Sequence, residues 1–163
     1  MCIRDRLKND NGFLPLKKEA IKSIAVIGPL ADSVHWDWYG GLPTYAVTPL
    51  EGIKAEVGPD VKVNYAESEL GNAAIDAAKS SDVAVVVIGN DPTCGPDMAH
   101  DWHSSVDGGG TIACTVPSDG REGRDREIIT LAQEQLVKQV YAFNPRTVVI
   151  LISSCLLYTS RCV

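Results

Sequence analysis

The five cysteines of this 163-residue sequence (Cys2, Cys94, Cys114, Cys155 and Cys162) include no C-x-x-C pair, which removes the zinc ribbon and the thioredoxin-type redox site. Cys94 and Cys114 share one loop-rich segment, and a bridge across it and two free thiols both fit their position. No G-x-x-x-x-G-K-[ST] occurs, so a P-loop is excluded. No G-x-G-x-x-G follows Gly28 or Gly89, and Pro29 stands where a glycine-rich dinucleotide turn would begin. The G-x-S-x-G elbow of a serine hydrolase is missing too. Cys94, Asp97, His100, Asp101 and His103 are ligand-type residues, but none stands at a zinc-type spacing, so neither metal nor cofactor is implied. No apolar run approaches the roughly 18–20 residues of a membrane span. The net charge of −6 argues against nucleic acid or an anionic membrane as partner. Residues 1–6 are polar and charged, so no signal peptide is visible in the sequence as written. Internal repeats are also lacking.

A length of 163 residues with 45% hydrophobic side chains suits one domain with a core of its own. Residues 7–18 read as an extended segment that turns at Asn11-Gly12, with Phe13, Leu14 and Leu16 around Pro15. Four runs read as strands: residues 23–28 (S-I-A-V-I-G), 61–65, 82–89 (D-V-A-V-V-V-I-G) and 147–153 (T-V-V-I-L-I-S). Three stretches between them read as helices. Residues 48–58 open on Thr48 as cap with Pro49 at the first helical position, close on Gly58, and place Leu50, Ile53 and Val57 on one face. Residues 72–80 are alanine-rich, with Ala73, Ile75, Ala77 and Ala78, and their small side chains allow close packing on a sheet. Residues 126–143 bury Ile128, Ile129, Leu131, Leu136, Val140 and Phe143, and Asn144-Pro145 stops them. The alternation predicts an α/β layered sandwich with a mostly parallel sheet, in which ligands sit beyond the carboxyl ends of the strands.

Two connections leave such ends. Residues 29–49 hold Trp36, Trp38, Tyr39 and Tyr45, aromatics that can stack on a sugar ring or pack under a domain interface. Residues 90–123 contain Trp102 and show neither helix nor strand, a length that in a compact domain points to function or disorder. They run into P-S-D-G-R-E-G-R-D-R-E at 117–127, where Asp119, Arg121, Glu122, Arg124, Asp125, Arg126 and Glu127 crowd together. A carboxylate among arginines is either a salt-bridged anchor or a tuned acid/base, depending on burial and neighbouring charge.

These motifs, in this order, carry a resemblance. L-K-N-D-N-G-F-L-P-L-K (7–17), I-A-V-I-G-P-L-A-D (24–32), V-T-P-L-E-G-I (47–53), A-V-V-V-I-G (84–89), E-G-R-D-R (122–126) and N-P-R-T-V-V-I-L (144–151) resemble the second domain of glycoside hydrolase family 3. The resemblance implies an exo-acting retaining β-glycosidase of the β-glucosidase or β-xylosidase kind, acting on β-linked glucosides, xylosides or oligosaccharides without a cofactor. It implies an N-terminal barrel, not matched here, bearing an aspartate nucleophile, and a sandwich domain presenting a glutamate acid/base. Glu122 is the position that takes the acid/base role, with Asp119, Asp125 and Glu127 as further candidates. Arg124 and Asp125 are expected to hold the loop, while Trp36, Trp38 and Trp102 are the expected sugar-binding residues. Retention needs two carboxyl groups about 5–5.5 Å apart, so this chain alone is expected to be inactive. A non-catalytic α/β carbohydrate-binding or structural module, its charged loop salt-bridged, is the other reading. Residues 1–6 and 155–163 share neither periodicity nor character with what they flank and resemble translated sequencing-adapter sequence. The expected organisation is therefore a lead-in at 7–22 and a partial sandwich domain at 23–154, ending before its last strands, between non-native ends.

Overall fold

A computed structural model describes residues 8–34, 44–67, 72–89 and 133–152. Along the chain run β1 (Ser23–Ile27), α1 (Pro49–Val57), β2 (Lys62–Ala66), α2 (Asn72–Lys79), β3 (Val83–Gly89), α3 (Glu134–Phe143) and β4 (Thr147–Ile152). The four strands form one sheet in the order β2-β1-β3-β4, and every neighbouring pair is parallel. This is the layered α/β domain expected from the sequence.

The chain steps one way along the sheet from β1 to β2, then back across β1 to reach β3. Right-handed crossovers taken in opposite directions put their helices on opposite faces. Accordingly α1 packs Leu50 and Val57 against Ile24, Val26, Val83, Val85 and Val87. On the other face, Ala74, Ala77 and Ala78 of α2 and Leu136 and Val140 of α3 meet Ala25, Ile27, Ala84, Val86 and Ile88. The period-two alternation of a strand buried on both sides thus divides β1 and β3 between two cores. Every residue of β3 is buried, whereas β4 is half-buried and Val149 is exposed. The small residues Ala74, Ala77 and Ala78 of α2 are buried, with Ile75 half-buried, because residues 74, 77 and 78 share the face turned to the sheet. One helix face differs from the sequence reading. In α3, Phe143 is exposed and lies under the Lys79 ammonium, 4.2 Å from its ring centre. Ile128, Ile129 and Leu131 lie outside the described residues.

Before β1, Asn11 takes the left-handed conformation (φ 55°) at the expected turn. The Asn9 side-chain amide pairs with both backbone groups of Leu14, at 3.0 and 2.8 Å, and Phe13 and Leu16 pack on the α1-side core. A short 3-10 turn at Lys18–Ala20, not foreseen from the sequence, links this segment to the sheet.

The amino ends of the strands are tied by two side chains. Asp82 accepts from the backbone N–H of Lys22 (2.7 Å) and of Ser23 (3.0 Å), joining the starts of β1 and β3. Asn144, 7% exposed, donates from Nδ2 to the carbonyls of Ala78 (3.0 Å) and Ser81 (2.9 Å) and accepts at Oδ1 from the Arg146 N–H (3.0 Å). One amide therefore joins the end of α2, the end of α3 and the start of β4.

Candidate functional site

Because β1 lies between β2 and β3, the strand order reverses between β1 and β3, and open α/β sheets bind ligands beyond the carboxyl ends of the strands at such a point. Both strands reach this edge on a glycine with positive φ: Gly28 at 127° follows β1, and Gly89 at 157° closes β3. A Cβ at Gly28 would run into the carbonyl oxygen of Val87, and one at Gly89 into that of Ile152. The backbones approach too closely there for any side chain. Two connections therefore set out from adjacent strands at one edge: the one after Gly28, which carries Trp36 and Trp38 in the sequence, and the one after Gly89, which carries Trp102 and Glu122.

The first connection is pinned where it leaves the sheet and where it enters α1. The Leu50 N–H donates to the Ala31 carbonyl (2.8 Å), and the Thr48 hydroxyl donates to Asp32 Oδ1 (3.0 Å). The same hydroxyl accepts the Glu51 N–H (3.1 Å), while Glu51 Oε2 accepts the Thr48 N–H (2.9 Å), which is a reciprocal capping box. Pro49 at the first helical position lacks the N–H that would otherwise go unpaired. Val47 packs its methyl 3.7 Å from where a Cβ on Gly52 would stand.

Beside this junction stands Tyr65, near the end of β2 and 39% exposed. Burial, and then the negative charges of Glu67 and Asp32, push its phenol above the ordinary value. The described part of this edge is thus acidic and carries an exposed phenol. It can offer carboxylate acceptors and a hydroxyl donor to a polar ligand. Among the described residues, no group of three or more His, Cys, Asp or Glu is placed to hold a metal ion. No described helix is long and apolar enough to cross a membrane.

Of the side chains singled out in the sequence, Glu122, Trp36, Trp38 and Trp102 lie outside the described residues. So do Asp119, Arg121, Arg124, Asp125 and Glu127, the Cys94 and Cys114 thiols, and Asp97, His100, Asp101 and His103. Asp32, Thr48, Tyr65 and Glu67, which do stand at this edge, were not among the predicted site residues. Their signal was position alone: Asp32 ends the G-P-L-A-D turn after β1, and Tyr65 and Glu67 bracket the end of a strand that is only half apolar.

The sequence model of the Glycosyl hydrolase family 3 C-terminal domain matches residues 7–160. The chain is 35% identical over 166 residues to a protein of Formosa agariphila named beta-xylosidase, an alignment covering 90% of this chain and 19% of that protein. It is 36% identical over 107 residues to Beta-D-xylosidase 3 of Arabidopsis thaliana, covering 62% of this chain and 13% of that one. Its fold is similar to the crystal structure of a beta-D-glucoside glucohydrolase from Trichoderma reesei, with a TM-score of 0.64, 22% identity, and coverage of 90% of this chain and 21% of that one. The chain thus spans about a fifth of the length of the first of these relatives.

Proposed function

The chain belongs to glycosyl hydrolase family 3, whose C-terminal domain it matches over residues 7–160, and from this membership we propose that it supplies the acid/base loop of an exo-acting, retaining β-glycosidase. The observation that carries the reading is the pairing of β1 with β3. It starts the connection bearing Trp36 and Trp38 and the connection bearing Trp102 and Glu122 from adjacent points at the sheet's switch point. In this reading Glu122 is the general acid that protonates the leaving oxygen and then, ionised, activates water against the glycosyl-enzyme. The three tryptophans stack on sugar rings. The aspartate nucleophile belongs to an N-terminal barrel domain of the same enzyme. The substrates are β-linked xylosides or glucosides, and the two relatives named xylosidase favour the xyloside.

The test uses the enzyme with its barrel. Glu122→Ala is expected to lower kcat/KM on an unactivated β-linked disaccharide by about 10²–10⁴-fold, the usual worth of a positioned general acid. Aryl glycosides with acidic leaving groups should still form the glycosyl-enzyme, and azide should restore its turnover. Near-parental rates on the disaccharide would refute the assignment and move attention to Asp119, Asp125 and Glu127. The chain without the barrel should hydrolyse neither aryl β-xyloside nor aryl β-glucoside.

A further inference from the structure

Residues 8–17 lie on the sheet without being hydrogen-bonded to it. Among the described residues, none of their backbone hydrogen bonds reaches a strand or α1. The Phe13 N–H donates to the Asp10 carbonyl (3.2 Å), the Asn9 amide brackets Leu14, and Asn11 supplies the left-handed turn, so the segment is folded on itself. Side chains alone attach it. Phe13 and Leu16, both half-buried, pack on the α1-side core, to which Val148, Ile150 and Ile152 of β4 also belong. The Arg146 guanidinium stands 5.9 Å from the centre of the Phe13 ring, which puts the ring at the start of β4. The helix on this face, α1, belongs to the crossover between β1 and β2, away from β4. The attachment changes character at the 3-10 turn Lys18–Ala20. There the exposed Lys18 Nζ donates to the Glu56 carbonyl over 3.4 Å. Beyond it the Lys22 carbonyl accepts the Lys62 N–H (2.9 Å), and Asp82 holds the Lys22 and Ser23 N–H groups. We propose that residues 8–17 are a strap hinged at Lys18–Ala20, whose release is a separate, low-lying opening of the domain. It uncovers the α1-side face of β4 while the opposite core stays closed. A unit with few buried apolar side chains and no backbone bond to its neighbours opens at lower free energy than the strands beneath it. The device is independent of the glycosidase reading.

The experiment uses the whole chain with isotope-labelled methyl groups and NMR relaxation dispersion, which reads opening on the microsecond-to-millisecond scale. The methyls of Leu16, Val148, Ile150 and Ile152 should exchange at one shared rate, and those of Ala25, Ala74 and Val140 in the opposite core should not. Phe13→Ala withdraws the ring and should raise the released population roughly five- to fifteenfold, about half the worth of a fully buried Phe side chain. Phe13→Leu should restore most of the closed population. Asn9→Ala should raise the released population as well, because a segment that is no longer pre-folded docks less well. Binding of a hydrophobic dye should rise in both alanine variants, with the far-UV circular dichroism unchanged. Exchange confined to the four α1-side methyls in Phe13→Ala supports the strap even where the parent opens too rarely to be seen. Exchange of both cores at one rate overturns the proposal, since the opening is then global. Absence of exchange and of added dye binding in both alanine variants overturns it too.

Discussion

Removing the Asn144 side-chain amide should cost more than any other single polar substitution among the described residues. Asn144→Ala deletes three hydrogen bonds at a site only 7% exposed and leaves the carbonyls of Ala78 and Ser81 and the N–H of Arg146 without that partner. At about 1 kcal/mol net per bond the loss is about 3 kcal/mol, and more where water cannot reach the orphaned groups. For a chain of this size that lowers the thermal midpoint by about 6–12 °C. Asn144→Asp keeps the acceptor for Arg146 but turns an oxygen towards two carbonyls, so it should be at least as damaging. Urea unfolding followed by far-UV circular dichroism separates the possibilities: the midpoint should fall with the slope unchanged. Lys138→Ala is the control. It breaks an exposed i,i+4 pair with Glu134 at 2.8 Å, which solvent screens and which adds little to stability. If Asn144→Ala shifts stability no more than this control, the amide is not what joins α2, α3 and β4, and the reasoning is wrong.

Gly89→Ala should lose about 3 kcal/mol or more, since a side chain there meets the Ile152 carbonyl at a φ of 157°; a parental unfolding midpoint would contradict the close β3–β4 approach. The two backbone N–H groups of Lys22 and Ser23, with Arg146's charge adding to them, hold the Asp82 carboxyl below the usual range. A depressed folded value contributes stability that is complete above the unfolded aspartate value of about 3.9 and is lost as pH falls through the folded one. Asp82→Asn should therefore flatten the acid limb of stability against pH, read from urea midpoints between about pH 2 and 5; an unaltered slope would count against the clamp.

All four strands were legible to within a residue or two at each end: β1 and β3 because burial on both faces leaves near-continuous apolar runs, as in V-A-V-V-V-I-G, β4 because T-V-V-I-L-I is β-branched although only half-buried, and β2 as a short, half-polar run between turns. The start of α1 was legible because Thr48-Pro49 is a local signal, although the answering Glu51 carboxylate went unnoticed. What escaped the sequence is what depends on neighbours far along the chain. Asn144 read as a helix stop, yet two of its partners lie 63 and 66 positions away. Asp82 read as the first residue of a strand, yet it binds backbone about 60 positions earlier. The strand order is likewise set by crossovers and not by composition. The Thr48–Asp32 bond that distinguishes the candidate site spans 16 positions between two unremarkable polar residues, and no local pattern announces it.

The pairing of β3 with β4 also bears on how such a domain changes over evolutionary time. Six successive residue pairs, Ala84 with Thr147 through Gly89 with Ile152, close a loop whose ends are fixed at both strands. The entropy of closing a flexible loop grows only with the logarithm of its length, so doubling the intervening sequence costs about 0.6 kcal/mol. Insertions between Gly89 and α3 are therefore nearly free in stability, while each lengthens or recasts the stretch that bears Glu122. A fold closed in this way can change length in that stretch with the strands, the buried amide of Asn144 and the two crowded glycines left untouched.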